Sequence, residues 1–328
     1  MRSLAAPYTS LCIAGNAKNA GKTTVLNALV MAHPDLVLGL SSIGLDGEEE
    51  DIVSFLPKPR VHLPANSLAG IASDCLRQTE AELEVLACSG VMTAMGEVLI
   101  TRTIRPGNCL LGGPSTVQGM DRVLALLFGH GAQKLLIDGA FSRQSHAAVG
   151  EGLVYVVGAH KSPVMEQVVD SAALALRKLN LPGVPEHLNF LMDERRAGWL
   201  DGDLVFHPFL TKGESGFRPE WLERLPKDAA WLYMPGAVGE DMLAALVSRR
   251  RSLHCGLVVR SPLSLVMGDT ALRKLFLLDR PLRALKPVKV AFVAVNPVSP
   301  GGHQFDAAAF KVALSRETEY PVINAMEE

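Results

Sequence analysis

The sequence predicts an α/β protein in which a mostly parallel sheet is flanked by helices and a second, smaller α/β domain follows. Three observations lead there. Short runs rich in Val, Ile and Leu alternate with longer segments of helical spacing, which is the pattern of βαβ units. A loop rich in Gly, Asn and Lys joins the first apolar run to the first helical one. Finally, Pro182, Pro185, Gly198, Gly202, Pro208, Gly213 and Gly216 interrupt the pattern before a second α/β run begins. At 328 residues, 48% apolar and 20% charged, the chain is long enough for two cores and too apolar for disorder.

In chain order, residues 10–14 read as a buried strand, 15–22 as a loop and 23–31 as a helix that ends before Pro34. Residues 36–40 form a second strand leading into an acidic loop with Asp46, Glu48, Glu49, Glu50 and Asp51. Pro57, Pro59 and Pro64 suit an edge strand or extended connection over 55–64. Helical spacing marks 80–88, and alternation marks a strand over 98–104 with Thr101 and Thr103 on one face. Short apolar strands are expected at 135–137 and 153–157, then a long amphipathic helix over 164–179. Beyond the irregular stretch, 231–234, 256–259 and 288–295 read as strands, and 240–250, 270–278 and 307–314 as helices. The expected organisation is a domain over 1–190, an irregular linker or lobe over 191–219, and a C-terminal α/β domain over 220–328.

Composition excludes several classes. The net charge is −2 and no block of five basic residues occurs, which argues against a broad electrostatic grip on nucleic acid. Cys12, Cys75, Cys88, Cys109 and Cys255 are an odd number, widely spaced and without a C-x-x-C pair, so free or buried thiols are expected rather than disulfides or a zinc knuckle. No apolar stretch approaches the roughly 18 residues of a membrane span, and residues 1–10 lack the apolar core of a signal peptide. A cytoplasmic protein is expected.

The strongest motif is Gly15-Asn16-Ala17-Lys18-Asn19-Ala20-Gly21-Lys22-Thr23-Thr24, between a strand and a helix. That context is what a P-loop requires. Backbone N–H groups of such a loop converge on a phosphate, Gly21 leaves room for the approach, Lys22 neutralises charge and the Thr23 hydroxyl can ligate Mg2+. The usual spacing puts the first glycine at position 16, where this chain has Asn16, with Gly15 one place early. Asn tolerates left-handed backbone geometry, so the turn is expected to survive. The alternative is a helix N-terminal loop that happens to carry a lysine.

Leu135-Leu136-Ile137-Asp138 is an apolar strand ending in an acid, which points to Asp138 in the Mg2+ shell rather than a simple turn cap. Asp46 and Glu48 follow the second strand, where the carboxyl ends of parallel strands line a ligand crevice, so both are placed to touch Mg2+ or orient a water. A solvated loop is the other reading, preferred for Glu49, Glu50 and Asp51. Gly112-Gly113-Pro114-Ser115-Thr116 precedes a helix and offers either a second anion site or plain N-caps. Asn296 and Pro297 end the last long strand, as an adenine-reading amide or as a turn. The nine histidines form no ligand motif, and no Asn-Lys-x-Asp guanine signature accompanies Lys161.

The strings Ala17 to Thr24, Ser42-Ile43-Gly44-Leu45-Asp46-Gly47-Glu48, Leu56-Pro57-Lys58-Pro59-Arg60 and Val295-Asn296-Pro297-Val298-Ser299-Pro300 resemble the non-MutS subunit of lysine 5,6-aminomutase reactivases, over most of the chain. More broadly the chain is similar to dethiobiotin-synthetase-like and MinD-like P-loop NTPases. The resemblance implies Mg2+ and ATP as cofactors, a MutS-like ATPase as partner subunit, and an adenosylcobalamin-dependent aminomutase as target. Lys22 and Asp46 are then the expected catalytic residues. Gly15, Asn16, Asn19, Ala20, Gly21, Lys22, Thr23 and Thr24 bind nucleotide, and Thr23, Asp138 and Asp46 hold the metal. Two other readings stay open: an ATP-dependent small-molecule ligase or kinase, and a non-catalytic interaction subunit.

Overall fold

The computed structural model describes residues 1–44, 60–139, 150–209, 219–223, 225–249 and 253–324. The chain divides into a first unit of Met1–Val169 with Val290–Glu328, and a second unit of Asp170–Lys289. The elements begin with α1 (Arg2–Ala5), β1 (Ser10–Gly15), α2 (Lys22–Met31), β2 (Leu38–Ser42), β3 (Val61–Leu63) and β4 (Leu68–Ala72). Then come β5 (Glu82–Thr93), β6 (Gly96–Arg105), β7 (Gly107–Cys109), α3 (Val117–Gly129), β8 (Lys134–Asp138), β9 (Gly152–Gly158) and α4 (Met165–Leu179). The second unit continues with β10 (Gly198–Leu200), β11 (Phe206–Pro208), β12 (Trp231–Met234), α5 (Glu240–Ser248), β13 (Gly256–Val259), α6 (Asp269–Phe276) and β14 (Leu282–Ala284). The chain returns to the first unit with β15 (Val290–Asn296), α7 (Ala307–Ser315) and β16 (Val322–Asn324).

The first unit is built on a nine-stranded sheet of order β16-β15-β9-β1-β8-β2-β4-β6-β5. From β16 to β4 every neighbouring pair is parallel, whereas β6 and β5 close the sheet as an antiparallel pair. Parallel strands covered on both faces read as continuous apolar runs, and β9 and β15 are buried at every position. The helix α2 buries Val25, Leu26, Leu29 and Val30, one stripe at helical spacing. Leu11 and Ile13 of β1, Leu26 and Leu29 of α2, Val154 and Val156 of β9 and Phe292 of β15 share one core. Lys134, at the start of β8, is buried, and its ammonium donates to the carbonyls of Ala5, at 3.0 Å, and Tyr8. That tie holds the N-terminal segment against the strand.

The second unit has its own five-stranded sheet, β11-β10-β12-β13-β14, with β12, β13 and β14 parallel and β10 antiparallel to both neighbours. Its core includes Trp221, Leu232, Leu243, Leu257 and Leu272.

Two expectations differ from this architecture. The segment 80–88, expected as a helix, lies largely in β5. Its register against β6 shifts at three places, and such bulges break the two-residue alternation that would have marked a strand. The expected C-terminal domain over 220–328 is also divided differently. The run Val290–Asn296 pairs with β9 in the large sheet, and the Pro/Gly-rich stretch lies inside the second unit instead of between domains. A fully apolar strand carries no local mark of the sheet it joins; pairing with the equally buried β9 decides it.

Candidate functional site

Strands of the first unit end side by side at their carboxyl termini. Asn296 of β15 stands opposite Gly158 of β9, Val156 opposite Gly15 of β1, Ile13 opposite Asp138 of β8, and Asp138 opposite Ser42 of β2. In an open parallel sheet this edge is where ligands are taken up. The loop from Asn16 to Gly21 rises from its middle.

The loop's path is set by small residues. Asn16 N–H donates to Val156 O at 2.8 Å, prolonging the β1–β9 pairing, and its Oδ1 accepts from Gly158 N–H at 3.0 Å. The chain turns left-handed at Asn19 (φ 60°) and at Gly21 (φ 100°). The left-handed tolerance expected of Asn16 is therefore used three residues later, at Asn19, while Asn16 is buried and works as an anchor. A Cβ on Gly158 would lie 2.5 Å from Ala20 Cα, and one on Gly21 would lie 2.5 Å from Asn296 Nδ2. Glycine at both places lets the loop pass over the end of β9 and under Asn296.

Lys22 opens α2, a helix whose cap residue Gly21 supplies no side chain to its first turn and which has no acidic residue there. Its first N–H groups and the positive end of its dipole are thus left for an anion. Lys22 and Thr23 are half-buried and Thr24 is exposed. On the neighbouring strand Asp138 has a buried Oδ1 without a hydrogen-bond partner among the described residues. Burial pushes its carboxyl above the usual carboxylate range, and the charge of Lys22 pulls it back. The strand before the loop offers no rival chemistry: burial, with Asp138 adding to it, raises the Cys12 thiol to about 12.

Asp46, Glu48, Glu49, Glu50 and Asp51 lie outside the described residues, as does the string Leu56 to Pro59. The described chain nearest to them leaves β2 beside Asp138, with Ile43 N–H donating to Asp138 O at 2.8 Å and Gly44 N–H to Pro114 O at 2.9 Å. Gly113 packs against that exit so closely that a Cβ would meet Ser42 O at 1.9 Å. Thr116 caps α3, its hydroxyl accepting from Gly119 N–H at 3.1 Å, which is the cap role weighed for it above. Asn296 makes the expected turn, its Oδ1 accepting from Val298 N–H at 3.2 Å, and its amide also borders Gly21.

Sequence reasoning missed Gly158 and the wall beside it. His303 Nε2 meets Ala159 O at 2.9 Å and His160 Nδ1 meets Ser299 Oγ at 3.3 Å, joining the segments that follow β9 and β15. A glycine at the very end of the apolar run 153–157 was the signal available for Gly158. No family model, no curated protein and no solved structure matches this chain.

Proposed function

We propose that the first unit binds Mg-ATP at the loop of residues 15–24 and hydrolyses it slowly in service of a partner enzyme. One conjunction carries this reading: an uncapped helix start at Gly21 and Lys22 beside a buried Asp138 oxygen that no group among the described residues satisfies. The N–H groups of Gly21, Lys22 and Thr23, with the Lys22 ammonium, hold phosphate oxygens. An orphaned carboxylate oxygen and a hydroxyl are a donor set suited to Mg2+, which favours one or two carboxylates plus phosphate oxygens, so Asp138 and Thr23 hold the metal, with Asp46 as a second acid. Bound there, Mg2+ offsets phosphate charge. Asn16, Asn19 and Ala20 shape the loop and Thr24 continues the helix.

The resemblance read from the sequence supports the partner: a MutS-like ATPase subunit and an adenosylcobalamin-dependent aminomutase that loses its adenosyl group and must be cleared of dead cobalamin. Nucleotide drives such clearance only by binding two conformations with different affinity. Phosphoryl transfer also needs an oriented nucleophile and added positive charge, and the motifs carry no evident water-orienting Gln or second arginine, so turnover by the isolated chain is slow.

The test is a thermal melt with and without Mg-ATP, then phosphate release alone and with the MutS-like subunit. Stabilisation by Mg-ATP that Lys22→Ala removes, and hydrolysis that rises with the partner, support the reading. Equal affinity with Mg2+ and with EDTA removes the metal role of Asp138. A phosphorylated or ligated acceptor replaces the reading with a kinase or ligase, and no response to ATP, ADP or GTP leaves the interaction subunit.

A further inference from the structure

The second unit contains a cavity of ≈ 340 Å3 at the amino ends of β13 and β14, beside the last turns of α4 and α6. Its floor is apolar, formed by buried Leu232, Leu246 and Leu257. Its rim is polar, with the exposed Arg177 and Asp279 and the half-buried Arg280. Two guanidiniums against one carboxylate leave a positive balance at the rim. The volume lies in the range of about 300–1,000 Å3 typical of small-molecule sites, which pair an apolar body with a few placed polar groups.

Arg177 is set up for planar recognition. The guanidinium carbon of Arg177 sits 4.3 Å from the centroid of the Phe276 ring, and Arg177 forms no ion pair among the described residues. Stacking on a ring face holds a guanidinium flat and leaves its edge N–H groups to a ligand in its plane. Asp279 takes a left-handed φ of 50°, the turn through which the chain passes from α6 to Arg280 and β14. The helices at this rim end here rather than begin, so their carbonyl-rich termini oppose a multiply charged phosphate. A singly charged carboxylate, which accepts two parallel bonds from one guanidinium, fits that balance better.

We infer that this cavity is a binding site for a small organic acid, a carboxylate on an aromatic or branched apolar body, held at the rim by Arg177 and Arg280 with the body on the leucine floor. The site is independent of the nucleotide loop. It needs neither Lys22 nor Asp138.

Cys255 lines the cavity and is buried, and burial raises its thiol pKa, so it reports occupancy through slow labelling by a thiol reagent. The exposed Cys88 is first replaced by Ser in the full chain. Labelling of Cys255 is followed with millimolar 3-phenylpropionate, its neutral amide and 3-phenylpropylamine. The expected result is protection by the acid alone, with apparent affinity falling at least about tenfold in Arg177→Gln or Arg280→Gln, the loss of a charge-assisted pair. Lys22→Ala must leave it unchanged. Equal protection by acid and amide, protection by the amine, no protection at all, or full protection retained in both arginine variants would overturn the site and leave a packing void at the helix ends. Arg177 is exposed, so Arg177→Gln keeps the test valid even where Arg280→Gln impairs folding.

Discussion

In the first unit the loop that leaves the carboxyl end of β1 runs into the start of α2 at Lys22, whereas in the second the cavity lies at the amino ends of β13 and β14, where α4 and α6 finish. Both places present cations to solvent. They differ in the sign of the helix ends behind those cations, and on that difference the two proposals rest: a multiply charged phosphate where N–H groups converge, a single carboxylate where carbonyls do. Glycine crowding varies by position in both units, and at the cavity itself a Cβ on Gly256 would lie 2.4 Å from the Trp231 ring. Gly158 and Gly21 are hemmed in by backbone and by Asn296, while Gly202 and Gly236 of the second unit have nothing within 4 Å of an added Cβ.

The largest expected effect breaks the tight side of that comparison. Gly158→Val drives side-chain atoms into the backbone at Ala20, costing about 3 kcal/mol of stability and the Mg-ATP response, whereas Gly236→Ala should stay within about 0.5 kcal/mol. Urea unfolding of both variants checks this. Similar costs for the two would mean that the loop is not held by β9.

The buried lysines sharpen it next. Lys134 gives its protons to two carbonyls, while Lys178, packed in the second unit, has its pKa lowered to about 8 by burial, against the opposing pull of Asp269. An unfolded lysine titrates near 10.4, so between about pH 8 and 10 the unfolded state binds more protons and stability rises with pH. The rise expected for the second unit is about 2–3 kcal/mol, lost below pH 8 as the buried amine is charged and absent in Lys178→Met. A flat profile in the wild type would assign Lys178 an ordinary, solvated ammonium.

A ligand-based contrast comes third. At a hundredfold excess over Kd, Mg-ATP should stabilise the wild type by about 2.7 kcal/mol. Lys22→Ala should lose this and Arg177→Gln should keep it. Loss in both would overturn the independence proposed for the two sites.

The smallest effect concerns the caps. Thr116→Ala removes the acceptor for Gly119 N–H and Asp306→Ala the acceptor for Ala309 N–H at 2.7 Å, each worth about 1 kcal/mol in the melt. A larger loss of nucleotide affinity in Thr116→Ala than in Asp306→Ala would show that the start of α3 also faces the ligand.

Legibility followed the range of the interactions. The strands Trp231–Met234 and Gly256–Val259 were readable to the residue, because each is a short apolar run bounded by turn residues. β4, only five residues long with Gly70 inside it, carried too short a pattern to separate from its surroundings. At the site, Lys22 and Asp138 stood out because loop and strand-end residues announce themselves locally, but Gly158 and the contact of Asn296 with Gly21 did not. Those partners are more than a hundred residues from the loop.

What the sequence by itself determined is the local grammar: a strand, a glycine-bearing turn and a helix in succession around Lys22, since backbone freedom at Gly21 and the spacing of Val25, Leu26 and Leu29 are properties of neighbours in the chain. The tertiary structure alone decided that β8 and β9 flank β1, that β15 returns after the 120-residue insertion Asp170–Lys289, and that residues 82–93 pair as an edge strand. Strand order is set by which buried faces and backbone groups satisfy one another across the sheet, and that pairing energy leaves no periodic trace in either partner.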